Sequence, residues 1–237
     1  MDTQSGHLVD ITLPSASVII AIDPFHPVAS FIQGLSVQSH PFDDFEVIVV
    51  DSIWRPSLWE AIESAKASTG GALCCHYAVI DKAGRAALNN HGVGLSRSDL
   101  IVFVSNDFIF NPGCLSAHIC FHRGHGGREA VGIGPALFSD DFRHRSPFMR
   151  WIEDSGNLFG YSFSRDDPAM FPDNFFGVYN TSINKDFLLS AGGFDEDFTF
   201  AAWEDLECGK RLEADGMQVH LIQEAEAIHD HDLSFSE

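Results

Sequence analysis

Basic residues are scarce in this chain: 14 Lys and Arg stand against 34 Asp and Glu, a formal net charge of −20 over 237 residues. Phosphate-backbone binding needs a basic stripe, so a nucleic-acid partner is not expected. A multiply anionic small molecule would need local help from an Arg or a metal cation. The acidity itself reads first as solubility. Long apolar runs are also missing: none reaches the ~18 residues of a membrane span. The opening MDTQSGHLVD has no basic stretch leading into an apolar one, so no secretory signal is expected. The five cysteines, Cys74, Cys75, Cys114, Cys120 and Cys208, form no CxxC pair. Odd in number and mostly in apolar contexts, they suit reduced thiols and a cytoplasmic location. A Gly-x-Gly-x-x-Gly is absent too: Ile22-Asp23-Pro24 follows the first apolar run, which argues against a dinucleotide-binding domain. No Walker A motif occurs, and Gly124–Gly127 reads as a turn.

What the chain does have is a core. It is 45% hydrophobic, with mean hydropathy near zero, which suits one domain or at most two small ones. Apolar β-branched runs at Ser17–Ile22, Phe45–Val50, Ala72–Ile80 and Leu100–Val104 predict strands. Helical spacing is expected over Val28–Gln38, Lys82–Arg97 and Pro112–His122, with Pro56 opening a further helix. Strand and helix thus alternate, which predicts an α/β fold with a mostly parallel sheet covered by helices. Beyond it, strands are expected at Ala130–Leu137, Phe175–Tyr179 and Met217–Ile222. Helices are expected at Lys185–Ala191 and Trp203–Ala214, the latter stopped by Gly216. Phe138–Asp173, with weak periodicity, reads as a long loop of the kind that carries function.

Ligands of parallel sheets bind at the carboxyl ends of strands. Two acids sit at such ends. Asp51 closes Val-Ile-Val-Val, and Ser105-Asn106-Asp107 closes Leu-Ile-Val-Phe-Val. Each could hold a base, a ribose or a divalent ion, or could simply cap a turn. Gly192-Gly193-Phe194 leads to Trp203-Glu204-Asp205 at a helix start. Acids there favour the helix dipole, and equally serve as a general base beside a cleft. His229 follows the last apolar run as a possible metal ligand or part of a solvated tail. His118 and His122, at i, i+4 with His125 close by, could form a zinc site or a surface face.

Together, and in this order, these segments resemble the family-2 glycosyltransferases. Residues 17–52 look like the family's opening nucleotide-binding unit. ALNNHGVGLSRSDLIVFVSNDFIFNPGCLSAH looks like the segment with its Asp-x-Asp motif, and residues 180–216 look like its acceptor-side segment. The resemblance spans roughly residues 15–230. It implies a GT-A fold: one domain over 1–237, with a nucleotide-sugar-binding half (15–123) and a smaller acceptor-side half (124–237). It implies an inverting transfer from a nucleoside-diphosphate sugar, most commonly a UDP-sugar, to a saccharide, lipid, small-molecule or protein acceptor. Asp23, Asp51, Asn90, Ser105, Asn106 and Asp107 would face the donor, and Asp107 and His229 would hold Mn²⁺ or Mg²⁺. Asp205 would be the general base, with Glu204 beside it and Trp203 shaping the acceptor site. Two departures stand out. The first acid of Asp-x-Asp is Ser105, which weakens the metal site or points to metal-independent chemistry. Asp23-Pro24 replaces the family's usual Tyr-Asn. The alternatives are a non-catalytic domain that binds nucleotide sugar or a partner protein, and a nucleotidyltransferase, whose basic Gly-rich loop Asp23–Pro27 does not supply.

Overall fold

The structure, a computed structural model, describes residues 13–22, 29–82, 84–139, 146–155, 176–200 and 203–230. Its strands are β1 (Ala16–Ala21), β2 (Phe45–Asp51), β3 (Cys74–Val79), β4 (Leu100–Val104), β5 (Phe108–Phe110), β6 (Ala130–Ile133), β7 (Ala136–Phe138), β8 (Asn180–Asn184), β9 (Gln218–Leu221) and β10 (Ala227–His229). Its helices are α1 (Ala29–Ser36), α2 (Pro56–Ser68), α3 (Arg85–Leu95), α4 (Cys114–Gly124), α5 (Pro147–Asp154), α6 (Lys185–Ser190) and α7 (Glu204–Ala214).

Seven strands form one sheet in the order β3-β2-β1-β4-β8-β6-β9. β3, β2, β1 and β4 run parallel, β8 runs antiparallel to both its neighbours, and β9 is parallel to β6. Every residue of β1 and β2 is buried, as continuous apolar strands covered on both faces should be. The polar exceptions are Ser17, Asp51 and Glu46, the last held in β2 by Ser17 Oγ (2.6 Å), Arg97 N (2.7 Å) and Arg97 Nε (2.7 Å). Burial raises its carboxyl pKa, but those three donors more than offset it, so the net shift is downward.

Two expected elements differ. The run at 130–137 is two strands, interrupted at Gly134-Pro135, and its second half joins a separate three-stranded sheet, β5-β10-β7. The strand expected at 175–179 lies instead at Asn180–Asn184; residues 176–179 form the turn before it. Asn180, Thr181 and Ser182 are fully buried. Their polarity hides them from a hydrophobic pattern, and His118 makes their burial tolerable: its ring nitrogens meet Ser182 Oγ at 2.8 Å and Asn180 Oδ1 at 2.9 Å. Of the expected loop at 138–173, residues 147–154 are helix α5, capped by Ser146 Oγ accepting from Met149 N. Among the described residues no helix is long and apolar enough to cross a membrane.

Candidate active site

The carboxyl ends of β2 and β4 carry the donor-side candidates, and the start of α7 carries the acceptor-side ones. Asp51 ends β2 with no solvent exposure. One oxygen accepts from Ile53 N (3.2 Å), the other from Arg55 Nε (2.7 Å) and Tyr77 Oη (3.3 Å). It therefore caps its turn and anchors Arg55 at once. Trp54 stacks on Tyr77 beside this pair, with ring centroids 4.9 Å apart. Asp23 lies outside the described residues.

After β4 the chain turns through Ser105, Asn106 and Asp107, all buried. Asp107 meets His229 across the small sheet, with Oδ2 and Nε2 3.0 Å apart. Strand register fixes this histidine. His229 pairs with Phe108 on one side and Phe138 on the other, and its ring stacks on both, at 4.7 and 5.2 Å. The pair suits a hard cation. Two ligands at right angles around an ion with bonds of ~2.1 Å stand ~3 Å apart, and carboxylate and imidazole both serve Mn²⁺ or Mg²⁺ sites. Remaining positions would fall to waters and phosphate oxygens. Glu46, Cys74 and His76 also gather their ligand atoms within 4.8 Å. There the carboxylate is already spent on Arg97 and Ser17, and Arg97 Nη2 donates to Cys74 Sγ (3.6 Å), so a cation would meet a guanidinium. Of the two readings of 118, 122 and 125, the zinc site is not among the described three-donor groups, and the surface face fails at His118, which is fully buried. His118 and His122 instead share Ser182 Oγ, His122 at 2.9 Å.

Asp205 sits in the first turn of α7, half-buried. Burial pushes its carboxyl above the ordinary range, while the N–H of Leu206 (2.8 Å), the charge of Arg85 and the N–H groups of Asp205 and Val178 pull it back. Glu204 beside it is buried, and Trp203 is 68% exposed. Trp203 has φ of 73°, the one non-glycine with positive φ among the described residues. Such a conformation costs about 1–3 kcal/mol and is kept where the surroundings hold it.

Asn90, on α3, is engaged by the loop before α7. Its amide donates to Phe194 O (2.8 Å) and Glu196 Oε1 (3.1 Å), and its carbonyl accepts from Phe194 N (2.9 Å). Gly193, at φ 68°, lies so close that a Cβ would stand 2.9 Å from Asn90 Oδ1, which explains the Gly-Gly-Phe sequence. At the start of α3, Gly84 (φ 93°) packs on the same loop: a Cβ there would lie 2.5 Å from Phe198 O. Helix α3 and the loop before α7 are thus locked together.

One functional candidate escapes sequence reasoning. Arg85, the first residue of α3, donates from Nη2 to Ser105 Oγ (3.0 Å), and its charge is felt at Asp205. The available signal was its place straight after Gly84, at a helix start that follows the third parallel strand.

The chain resembles solved structures over most of its length. A mannosyltransferase from Pyrobaculum calidifontis in complex with GDP-Man and Mn²⁺ superposes with TM-score 0.64 at 14% identity, covering 92% of this chain and 57% of that one. S. aureus TarS matches with TM-score 0.62 at 14% identity, over 91% of this chain and 36% of TarS. Its residues 1–349 in complex with UDP-GlcNAc match with TM-score 0.64 at 13% identity, over 90% and 57%. The chain therefore spans between about a third and three-fifths of these structures. No curated protein matches the sequence. The GT-A architecture of a mostly parallel sheet with a small second sheet is shared with them. The profile of Glycosyl transferase family 2 matches residues 19–188, most of the strands and helices just described, and the chain belongs to that family.

Proposed function

We propose that this protein moves a sugar from a nucleoside-diphosphate sugar, a UDP-sugar being the first to test, to an acceptor hydroxyl with inversion. The observation that carries the proposal is Asp205: a carboxylate raised by burial, at a helix start, beside a strained and exposed Trp203. A carboxylate raised in this way is a stronger base once ionised. Similar structures hold GDP-Man with Mn²⁺, or UDP-GlcNAc, which supports a nucleoside-diphosphate sugar as the donor class.

In this mechanism residues 15–123 form the donor half and 124–237 the acceptor half. The Asp51–Arg55 pair and its aromatic neighbours receive the base, with Asp23, Ser105 and Asn106 around the donor, while Asn90 holds the loop that leads to α7. A divalent ion held by Asp107 and His229 would neutralise charge on the diphosphate. Trp203 and Glu204 shape the acceptor side. Asp205 takes the acceptor's hydroxyl proton as that oxygen attacks the anomeric carbon. The bond from this carbon to the diphosphate oxygen breaks on the opposite face, and the nucleoside diphosphate leaves with the electron pair.

Ser105 in place of the first acid supports a second reading, a binding domain without turnover. Hydrolysis of UDP- and GDP-sugars in water separates the two, since it needs no acceptor. Slow hydrolysis that is lost in Asp205→Asn supports the transferase. Nucleotide binding without hydrolysis, untouched by Asp205→Asn, supports the binding domain.

A further inference from the structure

Four of the seven described arginines are paired with carboxylates. Arg55 sits on Asp51, Arg97 on Glu46, Arg123 on Asp44 and Arg211 on Glu207. Arg85, like the exposed Arg128 on Ser190, donates to a neutral hydroxyl, that of Ser105, but Arg85 is partly buried. Its Nε is buried and has no hydrogen-bond partner among the described residues. A guanidinium carries five N–H donors in a rigid fork suited to two oxygens of a phosphate. Here one arm is fixed on Ser105 and the Nε edge is unspent. Ser105 stands at the carboxyl end of β4, where ligands of a parallel sheet bind. An aspartate at 105 would lie within salt-bridge range of Nη2 and would claim this charge; the serine orients it and leaves it positive. In a chain with 34 acids and 14 bases, a cation in that position is informative when no carboxylate among the described residues is its hydrogen-bond or ion-pair partner, and Asp205 is near enough only to feel its charge.

We propose that Arg85 is a diphosphate-binding residue of this enzyme, gripping phosphate oxygens of the donor from a position that Ser105 fixes, so that nucleoside diphosphate binds without a divalent ion. The proposal rests on the donor reading above and assigns to one side chain the charge that the altered acidic motif leaves unsupplied. The serine at the motif's first position and the guanidinium it orients then belong to one arrangement.

Calorimetric titration of UDP, uridine, GDP and guanosine, each with EDTA and with Mn²⁺, tests it. Wild-type protein should bind at least one of the two diphosphates in EDTA. Arg85→Gln should weaken that binding at least about tenfold and leave the matching nucleoside unchanged, since the loss falls on phosphate contacts. Arg85→Lys should recover part of it. Ser105→Asp should also weaken binding in EDTA, because the new carboxylate captures the guanidinium, and Mn²⁺ should restore it. Melting temperatures identify any variant that fails to fold, and Ser105→Asp keeps the test open if Arg85→Gln does. Equal losses for nucleoside and diphosphate, or no loss, overturn the role of Arg85. Diphosphate binding only with Mn²⁺, unaffected by Arg85→Gln, also overturns it while sparing the donor site. Absence of any nucleotide binding by the wild type in either condition removes the donor reading and this proposal together.

Discussion

Asn90 and Phe194 exchange two hydrogen bonds, side-chain amide to backbone, at 2.8 and 2.9 Å, although 104 residues separate them. The amide imitates a neighbouring strand, offering a donor and an acceptor where the loop's backbone needs both. Through this pair α3 holds the segment that delivers Trp203, Glu204 and Asp205.

Asn90→Ala should therefore act on turnover more than on donor affinity. Removing partners of buried backbone groups costs about 1–3 kcal/mol, so thermal stability should fall by that order and kcat should drop. UDP affinity, measured by titration, should hold. A selective loss of UDP affinity would instead make Asn90 a donor contact.

Asp205→Asn should lower turnover by about 10²–10⁴-fold, the range for loss of a positioned base. Donor affinity should stay near wild type. The base works deprotonated and its carboxyl is raised by burial, so the acid limb of kcat/KM should lie above the ordinary carboxylate range. An acid limb at or below that range would take the role from Asp205.

Asp107→Ala and His229→Ala should each remove any Mn²⁺ enhancement of UDP affinity, because each supplies one of two adjacent donors 3.0 Å apart. Titration of UDP with and without Mn²⁺ decides the point. Enhancement that survives both changes would place the ion elsewhere.

Trp203→Gly should leave stability unchanged or raise it by about 1 kcal/mol, since glycine adopts positive φ without strain and the ring is mostly exposed. Activity toward an acceptor should fall while donor hydrolysis persists. A large loss of stability would make the tryptophan a structural anchor.

Stability should decline as the pH falls from about 6.5 to about 4, in part through His118. Burial lowers its pKa to about 4, partly countered by Asn180. The unfolded chain takes up a proton near 6.5 and the folded protein does not, so protonation favours unfolding across that window. One such group is worth roughly 3 kcal/mol. Melting curves of His118→Gln should be flatter than wild type over these pH values. Parallel curves would assign the pH dependence to other groups.

The parallel half of the sheet is legible in the sequence because β1, β2 and β4 are largely apolar runs, the signature of a buried parallel strand. β8 is illegible for the opposite reason. Asn-Thr-Ser-Ile-Asn is polar, and only a histidine from α4, about 60 residues away in sequence, makes its burial affordable. α5 carried a local signal, Ser146-Pro147, that weak periodicity obscured. Asp51, Asp107, His229 and Asp205 stand out as residues because an acid or imidazole after an apolar run is chemically conspicuous. Their partners are not: Arg55, Phe138, Arg85 and Phe194 are identified only by what folding brings beside them.

The small sheet also sets an order of events. β5 and β7 are joined only through β10, which pairs with each of them and enters the chain last. Asp107 meets its histidine only after that strand has arrived. The sheet that would receive a nucleotide draws β1 to β4 from residues 16–104, so its parallel half exists in the chain long before. On an emerging polypeptide, long-range pairing comes after local pairing. Synthesis would thus complete the parallel platform first and the Asp107–His229 corner last, when nearly all of the described chain is in place.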